Sequence, residues 1–147
     1  MAAYLAELQM AENYLAGSVW LDGSGARQIA EALDVYSAQE LTHAKKIAHR
    51  LKELGVRSPA SFSIEVVQKV FPPRDETDAL SAVEGVLEAE CDAIARYERL
   101  IEACEEKDVI TRDLAIEIIA DEEKHRAVFE GFLTKLNEEW KTRPLNP

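Results

Sequence analysis

Five polar residues stand where a helical chain needs apolar ones, and they restrict what this sequence can fold into. Ile29, Leu33, Tyr36, Glu40, His43, Ile47, Leu51 and Leu54 follow steps of three and four, which puts them on one face of an α-helix. Ala115, Ile118, Glu122, His125, Phe129, Phe132 and Leu136 form a second stripe of this kind. Leu80, Val83, Leu87, Glu90, Ile94, Tyr97 and Ile101 form a third. Glu40, His43, Glu90, Glu122 and His125 are therefore expected to face a core. An ionised carboxylate buried without a partner costs several kcal/mol. Five such residues together imply a buried cation.

The breaks between the stripes are few. Gly23-Ser24-Gly25 is one, Gly55 through Pro59 opens another that Pro72-Pro73 closes, and Glu105 to Asp108 is a polar third. They leave four helical segments, about 2–22, 26–54, 75–105 and 109–141. Gly55 suits a helix C-terminus. Asp75 or Thr77 is a candidate cap for the third segment and Asp108 for the fourth. The connection over 55–74 is long, and Ser63 to Phe71 could form a short helix within it. The expectation is one all-α domain over residues 1–147: four helices, two short loops and one long crossover, as opposed to an up-down-up-down bundle.

Spacing sharpens the cation argument. Glu40-Leu-Thr-His43 and Glu122-Glu-Lys-His125 are both E-x-x-H, which on a helix puts the two side chains one turn apart on the same face. One copy is weak evidence; two copies, each in a core stripe, are strong. Each motif should meet a Glu from the preceding antiparallel helix. The midpoint between Glu7 and Glu40 falls inside Gly23-Ser24-Gly25, and that between Glu90 and Glu122 inside Glu105–Asp108. The separations are 33 and 32 residues, so the halves read as a degenerate repeat. A Tyr follows each first Glu by seven, at Tyr14 and Tyr97; these either fill the core or hydrogen-bond a ligand. Glu12 competes with Glu7, because it sits among Leu5, Leu8, Leu15 and Val19; the midpoint and the repeated Tyr favour Glu7. Glu84, Glu88, Glu123 and His49 fall off the stripes and should be solvated. Gln39 and Asp121 precede the motif glutamates and are candidates to orient a ligand histidine. Cys91 adjoins Glu90 but points off its stripe. Trp20 and Trp140, near helix ends, are read as packing or interface residues.

Charge narrows the partners. Acidic residues outnumber basic ones 28 to 17, for a formal net charge of -11. That balance disfavours nucleic acid and anionic membranes and suits cations. No stretch of 18 residues is free of charge, and the N-terminus lacks a basic region, so a membrane span and a signal peptide are not expected. A cytoplasmic location follows. Cys91 and Cys104 are too far apart along one helix to bridge, and no CxxC is present.

These residues resemble the bacterioferritin and ferritin-like di-iron family. Glu7-Leu-Gln-Met-Ala-Glu-Asn-Tyr14-Leu resembles its first-helix ligand segment, Glu40-Leu-Thr-His43-Ala its second and Ala89-Glu90-Cys-Asp its third. Arg112 through His125 is similar to the fourth, and the likeness runs over about residues 4–137. The resemblance implies a ferritin-like bundle holding two Fe ions per chain, with Mn or Zn as other candidates. Glu40 and Glu122 would bridge, Glu7 and Glu90 would be terminal, and His43 and His125 would each give one nitrogen. These four glutamates would then be the catalytic ligands of a ferroxidase. That enzyme oxidises Fe²⁺ to Fe³⁺ with O₂ or H₂O₂, for iron storage or detoxification, in a homo-oligomeric cage or dimer. The alternative is a rubrerythrin-like di-iron oxidoreductase that stores no iron, although Ala93 stands where rubrerythrins carry a further Glu. Bacterioferritins place a haem-ligating Met where this chain has Leu41, so no haem is expected. The segment Lys141 to Pro147 supplies no fifth helix, a feature shared with Dps-like dodecamers. Mutual repulsion of the buried acids should leave protons on them in the absence of metal. On that view Glu40→Gln or Glu122→Gln would stabilise the metal-free chain.

Overall fold

The computed structural model describes residues 1–23, 25–59, 73 and 75–142, with Glu139 to Thr142 described in backbone only. Four helices account for its regular structure: α1 Ala2–Trp20, α2 Arg27–Glu53, α3 Ala79–Cys104 and α4 Val109–Thr142. The short helix expected over Ser63 to Phe71 and the chain end beyond Thr142 lie outside the described residues. No described helix is long and apolar enough to cross a membrane.

Each helix end has a local cause. The α1–α2 turn uses Gly23 at φ +103°, and the Asp22 carboxylate accepts the Gly23 N–H at 2.7 Å. The α2 end is closed by Gly55 at φ +75°, where a side chain would be strained. There the Val56 N–H reaches Leu51 O at 2.8 Å and the Gly55 N–H reaches Lys52 O at 3.0 Å, the two bonds of a Schellman cap. The cap of α3 is neither Asp75 nor Thr77 but Asp78, whose carboxylate accepts the Ser81 N–H at 3.1 Å. Asp75 is engaged one turn earlier, accepting from the Thr77 N–H and hydroxyl at 2.8 Å each, so α3 starts later than the sequence suggests. Asp108 caps α4 as expected, accepting the Thr111 N–H at 3.0 Å. It also accepts from Arg50 at 2.8 Å, which ties the end of α2 to the α3–α4 turn.

α1 packs chiefly on α2, and α3 on α4, so the molecule is two helical hairpins laid face to face. Gly17 lets α1 and α2 approach closely: a Cβ there would stand 3.1 Å from Leu33 Cδ1. Two apolar clusters fill the interior. One gathers Met10, Tyr14, Ile29, Leu33, Val83, Val86 and Phe129; the other gathers Ile47, Tyr97, Ala115 and Ile118. Along α2 the polar residues Glu40 and His43 fall between Leu33 and Ile47. Along α4, Glu122 and His125 fall between Ile118 and Phe129. A polar layer is thus sealed from both ends.

Four apolar positions turn out differently. Leu80 and Leu54 are exposed, being the first and last turns of their segments, where no partner helix faces them. On α1 the small residues Ala6 and Ala11 go inside with Glu7, Gln9, Met10 and Tyr14, while Leu15 and Val19 stay 52% and 81% exposed. Phe129 is fully buried and contacts Tyr14, Tyr36 and Phe132 at ring separations of 6.5, 5.9 and 5.7 Å. Truncating it to Ala should lower unfolding free energy by about 3–5 kcal/mol, measured by urea titration. Truncating the half-buried Phe132 should cost less.

Candidate metal centre

All six predicted site residues meet in the sealed layer. Glu7 comes from α1, Glu40 and His43 from α2, Glu90 from α3, and Glu122 and His125 from α4; each is at most 1% exposed. Glu12 lies on the outer surface. The six form two overlapping sets that could hold metal ions, Glu7 with Glu40, His43 and Glu122, and Glu40 with Glu90, Glu122 and His125. Within each set the donor atoms lie within 4.8 Å of one another. Glu40 and Glu122 belong to both.

The imidazoles face inward through Nδ1. His43 Nδ1 stands 3.3 Å from Glu7, 3.2 Å from Glu40 and 3.2 Å from Glu122. His125 Nδ1 stands 3.1 Å from Glu40, 3.5 Å from Glu90 and 3.3 Å from Glu122. Their Nε2 atoms face outward. His43 Nε2 lies 3.4 Å from Asp121 Oδ2, and His125 Nε2 lies 3.2 Å from Gln39 Oε1. Gln39 and Asp121 therefore do sit behind the histidines, each on the opposite hairpin from the ring it supports. The tyrosines cross over in the same manner: Tyr14 donates to Glu90 Oε1 and Tyr97 to Glu7 Oε1, both at 2.5 Å. The repeat in the sequence suggested a bond to a ligand but not this exchange between halves. The sequence reading also missed Tyr36, whose ring lies 4.0 Å from that of His125. Its place four residues before Glu40 on the α2 stripe was the available signal. Glu84, Glu88, Glu123, His49 and Cys91 are exposed, as their positions off the stripes suggested.

Apart from these ion-pair contacts, several buried atoms have no hydrogen-bond partner: Glu7 Oε2, Glu40 Oε1, Glu90 Oε2, both oxygens of Glu122 and His125 Nδ1. Orphaned acceptors in a dry interior are costly unless something cationic takes them up. Unpaired inward oxygens beside inward imidazole nitrogens suit a divalent cation bound by mixed carboxylate and imidazole.

Without a metal ion, protons do part of that work. Burial pushes Glu7 up to about 8, against the pull of His43 and with the charges of Glu122 and Glu40 adding to it. Burial likewise lifts Glu90 to about 7, partly offset by His125. Glu40 goes the other way: burial would raise it, but His125 and His43 outweigh that and hold it near 2. Burial would lower both imidazoles, yet the carboxylates around them, Glu122 and Glu40 foremost, raise His43 to about 12 and His125 to about 11. The histidines thus act as counter-ions, which the argument from repelling acids overlooked. Glu40→Gln would remove an acceptor close to both rings, so the stabilisation expected for that variant does not follow.

A group that titrates higher in the folded chain than in the unfolded one holds its proton more tightly when folded, and that contribution is lost as pH rises. Glu7, Glu90, His43 and His125 are all of this kind. Glu40 is the opposite case, and its contribution is lost as pH falls below the usual carboxylate range. Chelator-treated protein should therefore melt at progressively lower temperature from pH 6 to pH 9. Divalent cations must displace these protons, so the rise in melting temperature they cause should grow over the same interval. Scanning calorimetry with and without Zn²⁺ checks both slopes; a flat chelated profile would contradict the proton-held cluster.

Comparison with known proteins agrees with this geometry. The ferritin-like domain family matches residues 3–138. A probable bacterial non-haem ferritin-like protein of Haemophilus influenzae is 27% identical over 133 residues, covering 89% of this chain and 76% of that protein. The bacterioferritin of Desulfovibrio desulfuricans is 27% identical over 127 residues, 85% of this chain and 66% of its own length. Among solved structures, the dodecameric thioferritin of Bacteroides fragilis, described as a bacterioferritin-related protein, superposes with a TM-score of 0.86 at 25% identity. It covers 99% of this chain and 88% of its own. With the family match extending over both hairpins and every residue of the buried cluster, the chain belongs to the ferritin-like domain family, whose members bind iron.

Proposed function

We propose that this protein is a ferroxidase subunit that takes Fe²⁺ as substrate and oxidises it to Fe³⁺, with O₂ or H₂O₂ as the oxidant. The observation that carries the reading is the pair of buried four-donor sets sharing Glu40 and Glu122. Two adjacent ferrous ions can give up two electrons together, which reduces O₂ to H₂O₂, or H₂O₂ to water, with uptake of two protons and without releasing a one-electron radical product. In this reading Glu40 and Glu122 would serve both ions, Glu7 and Glu90 one each, and His43 and His125 would supply the nitrogen donors. Four glutamates balance two divalent ions, so the loaded centre is neutral in its dry surroundings. Tyr14 and Tyr97 hold one oxygen each of Glu90 and Glu7 and leave the second oxygen of each turned inward, that of Glu7 beside His43. Storage or detoxification of iron is the role that fits, with no haem, since Leu41 has no lone pair to offer. The proposed domain is residues 1–147, of which 3–138 match the family.

Self-association belongs to the same proposal. The outer faces of α1 and α2 leave Leu15, Val19, Trp20, Val35 and Leu41 exposed. The structural relative from Bacteroides fragilis is a dodecamer. A homo-oligomer is the expected form in solution.

Anaerobic loading with Fe²⁺ followed by desalting should leave about two irons per chain. Glu122→Ala should lose iron and slow oxidation; retention of both ions with unchanged kinetics would refute the assignment. Glu7→Ala should slow oxidation by at least about tenfold, the lower bound typical of a residue that merely supports a ligand. Glu12→Ala, on the outer surface, should leave the rate unchanged.

A further inference from the structure

The two donor sets match in composition, three carboxylates and one imidazole each, and each terminal carboxylate receives a tyrosine hydroxyl at the same 2.5 Å. Behind the imidazoles the match fails. His43 Nε2 faces a carboxylate, Asp121, whereas His125 Nε2 faces the carbonyl of an amide, Gln39. We propose that Asp121 and Gln39 are positioning residues that make the two metal positions unequal, so that the position served by His43 fills first and holds its divalent cation more tightly. This inference rests on the di-metal reading of the cluster.

The physical basis is the charge of the acceptor. An imidazole that gives its outer N–H to a carboxylate gains electron density at the inner nitrogen and becomes a stronger donor to a metal. The carboxylate also adds a negative charge one ring away from the cation, in surroundings where such a charge is weakly screened. The Gln39 amide orients its ring equally well but brings no charge. One feature works against the difference: Lys124 donates to Asp121 Oδ1 at 2.8 Å. That ammonium is 72% exposed, so solvent screens it, and it binds the oxygen that does not face His43.

Gln39 has a second task that an acid could not perform beside Asp121. Its carbonyl accepts from His125 at 3.2 Å, and its amide group lies beside the Asp121 carboxylate. His125, Gln39, Asp121 and His43 thus form a polar row outside the metal layer, hydrogen-bonded at its two ends. An acid at position 39 with Asp121 in place would set two carboxylates against each other. An amide at one end and an acid at the other avoids that repulsion, and it fixes which imidazole receives the charge.

The exchange variant Q39E/D121N tests this directly, because it keeps size, net charge and the number of donors while reversing the direction of the row. The chain has three histidines, so ¹⁵N-histidine NMR of the whole protein resolves them readily. Zn²⁺ is the probe, a diamagnetic cation that needs no turnover. In the natural protein the His43 ring signals should shift over the first molar equivalent and those of His125 over the second. The two affinities should differ by about 10–100-fold, the range over which such supporting residues act. In Q39E/D121N the order should invert, and in D121N alone the two steps should converge. Simultaneous shifts of both rings in the natural protein would overturn the inequality while leaving the di-metal reading intact. An order unchanged by the exchange would leave the inequality but overturn Asp121 and Gln39 as its cause. If neither ring shifts at two equivalents of Zn²⁺, the di-metal reading itself fails and this inference fails with it. Because the natural protein alone decides the first point, the proposal stays testable should the double variant not fold.

Discussion

Burying four carboxylates and two imidazoles in one layer between four helices is the constraint on which the rest of this structure turns. Water cannot solvate that layer, so each charge must be met by a proton, a hydrogen bond or a cation. The apolar clusters around Phe129 on one side and Ile118 on the other keep it dry. Tyr14 and Tyr97 claim one oxygen each of Glu90 and Glu7. Gln39 and Asp121 claim the outer nitrogens of the rings. What remains unclaimed points inward, and the site is defined by that remainder.

The same layer explains why the chain tolerates such a concentration of acid. Burial favours a proton on Glu7 and, to a lesser degree, on Glu90, and the carboxylates around them favour charged imidazoles. The cluster can thus approach electrical balance with protons alone, and a divalent cation exchanges for them without leaving a large net charge at any stage. Metal entering such a cluster would have to displace its protons.

Much of this was legible in the sequence because helical periodicity and antiparallel pairing are both simple geometric rules. The stripe on α2 put Glu40 and His43 inside, and a midpoint inside the Gly23–Gly25 turn picked Glu7 over Glu12. The alternating demands of capping were harder. Asp75, Thr77 and Asp78 are all competent caps, and which one starts α3 depends on the turn that Asp75 makes with Thr77. The outward aspect of Leu15 and Val19 was hidden for a different reason. A helix between two close neighbours buries small residues, and hydrophobicity alone does not reveal how near the neighbours come. The ring-to-ring placement of Tyr36 and the reach of Arg50 to Asp108 depend on distances between helices, which no single segment encodes.

The two tyrosine bonds join positions 76 and 90 residues apart in the chain, whereas each hairpin is held by contacts between neighbouring helices. Hairpins can thus assemble by local search, while Tyr14 and Tyr97 can find Glu90 and Glu7 only once the hairpins have docked. These bonds act as latches rather than as scaffolding. A chain with one latch removed should still raise its hairpins at the ordinary rate and come apart sooner, so its half-life against unfolding would register the loss before its folding rate did.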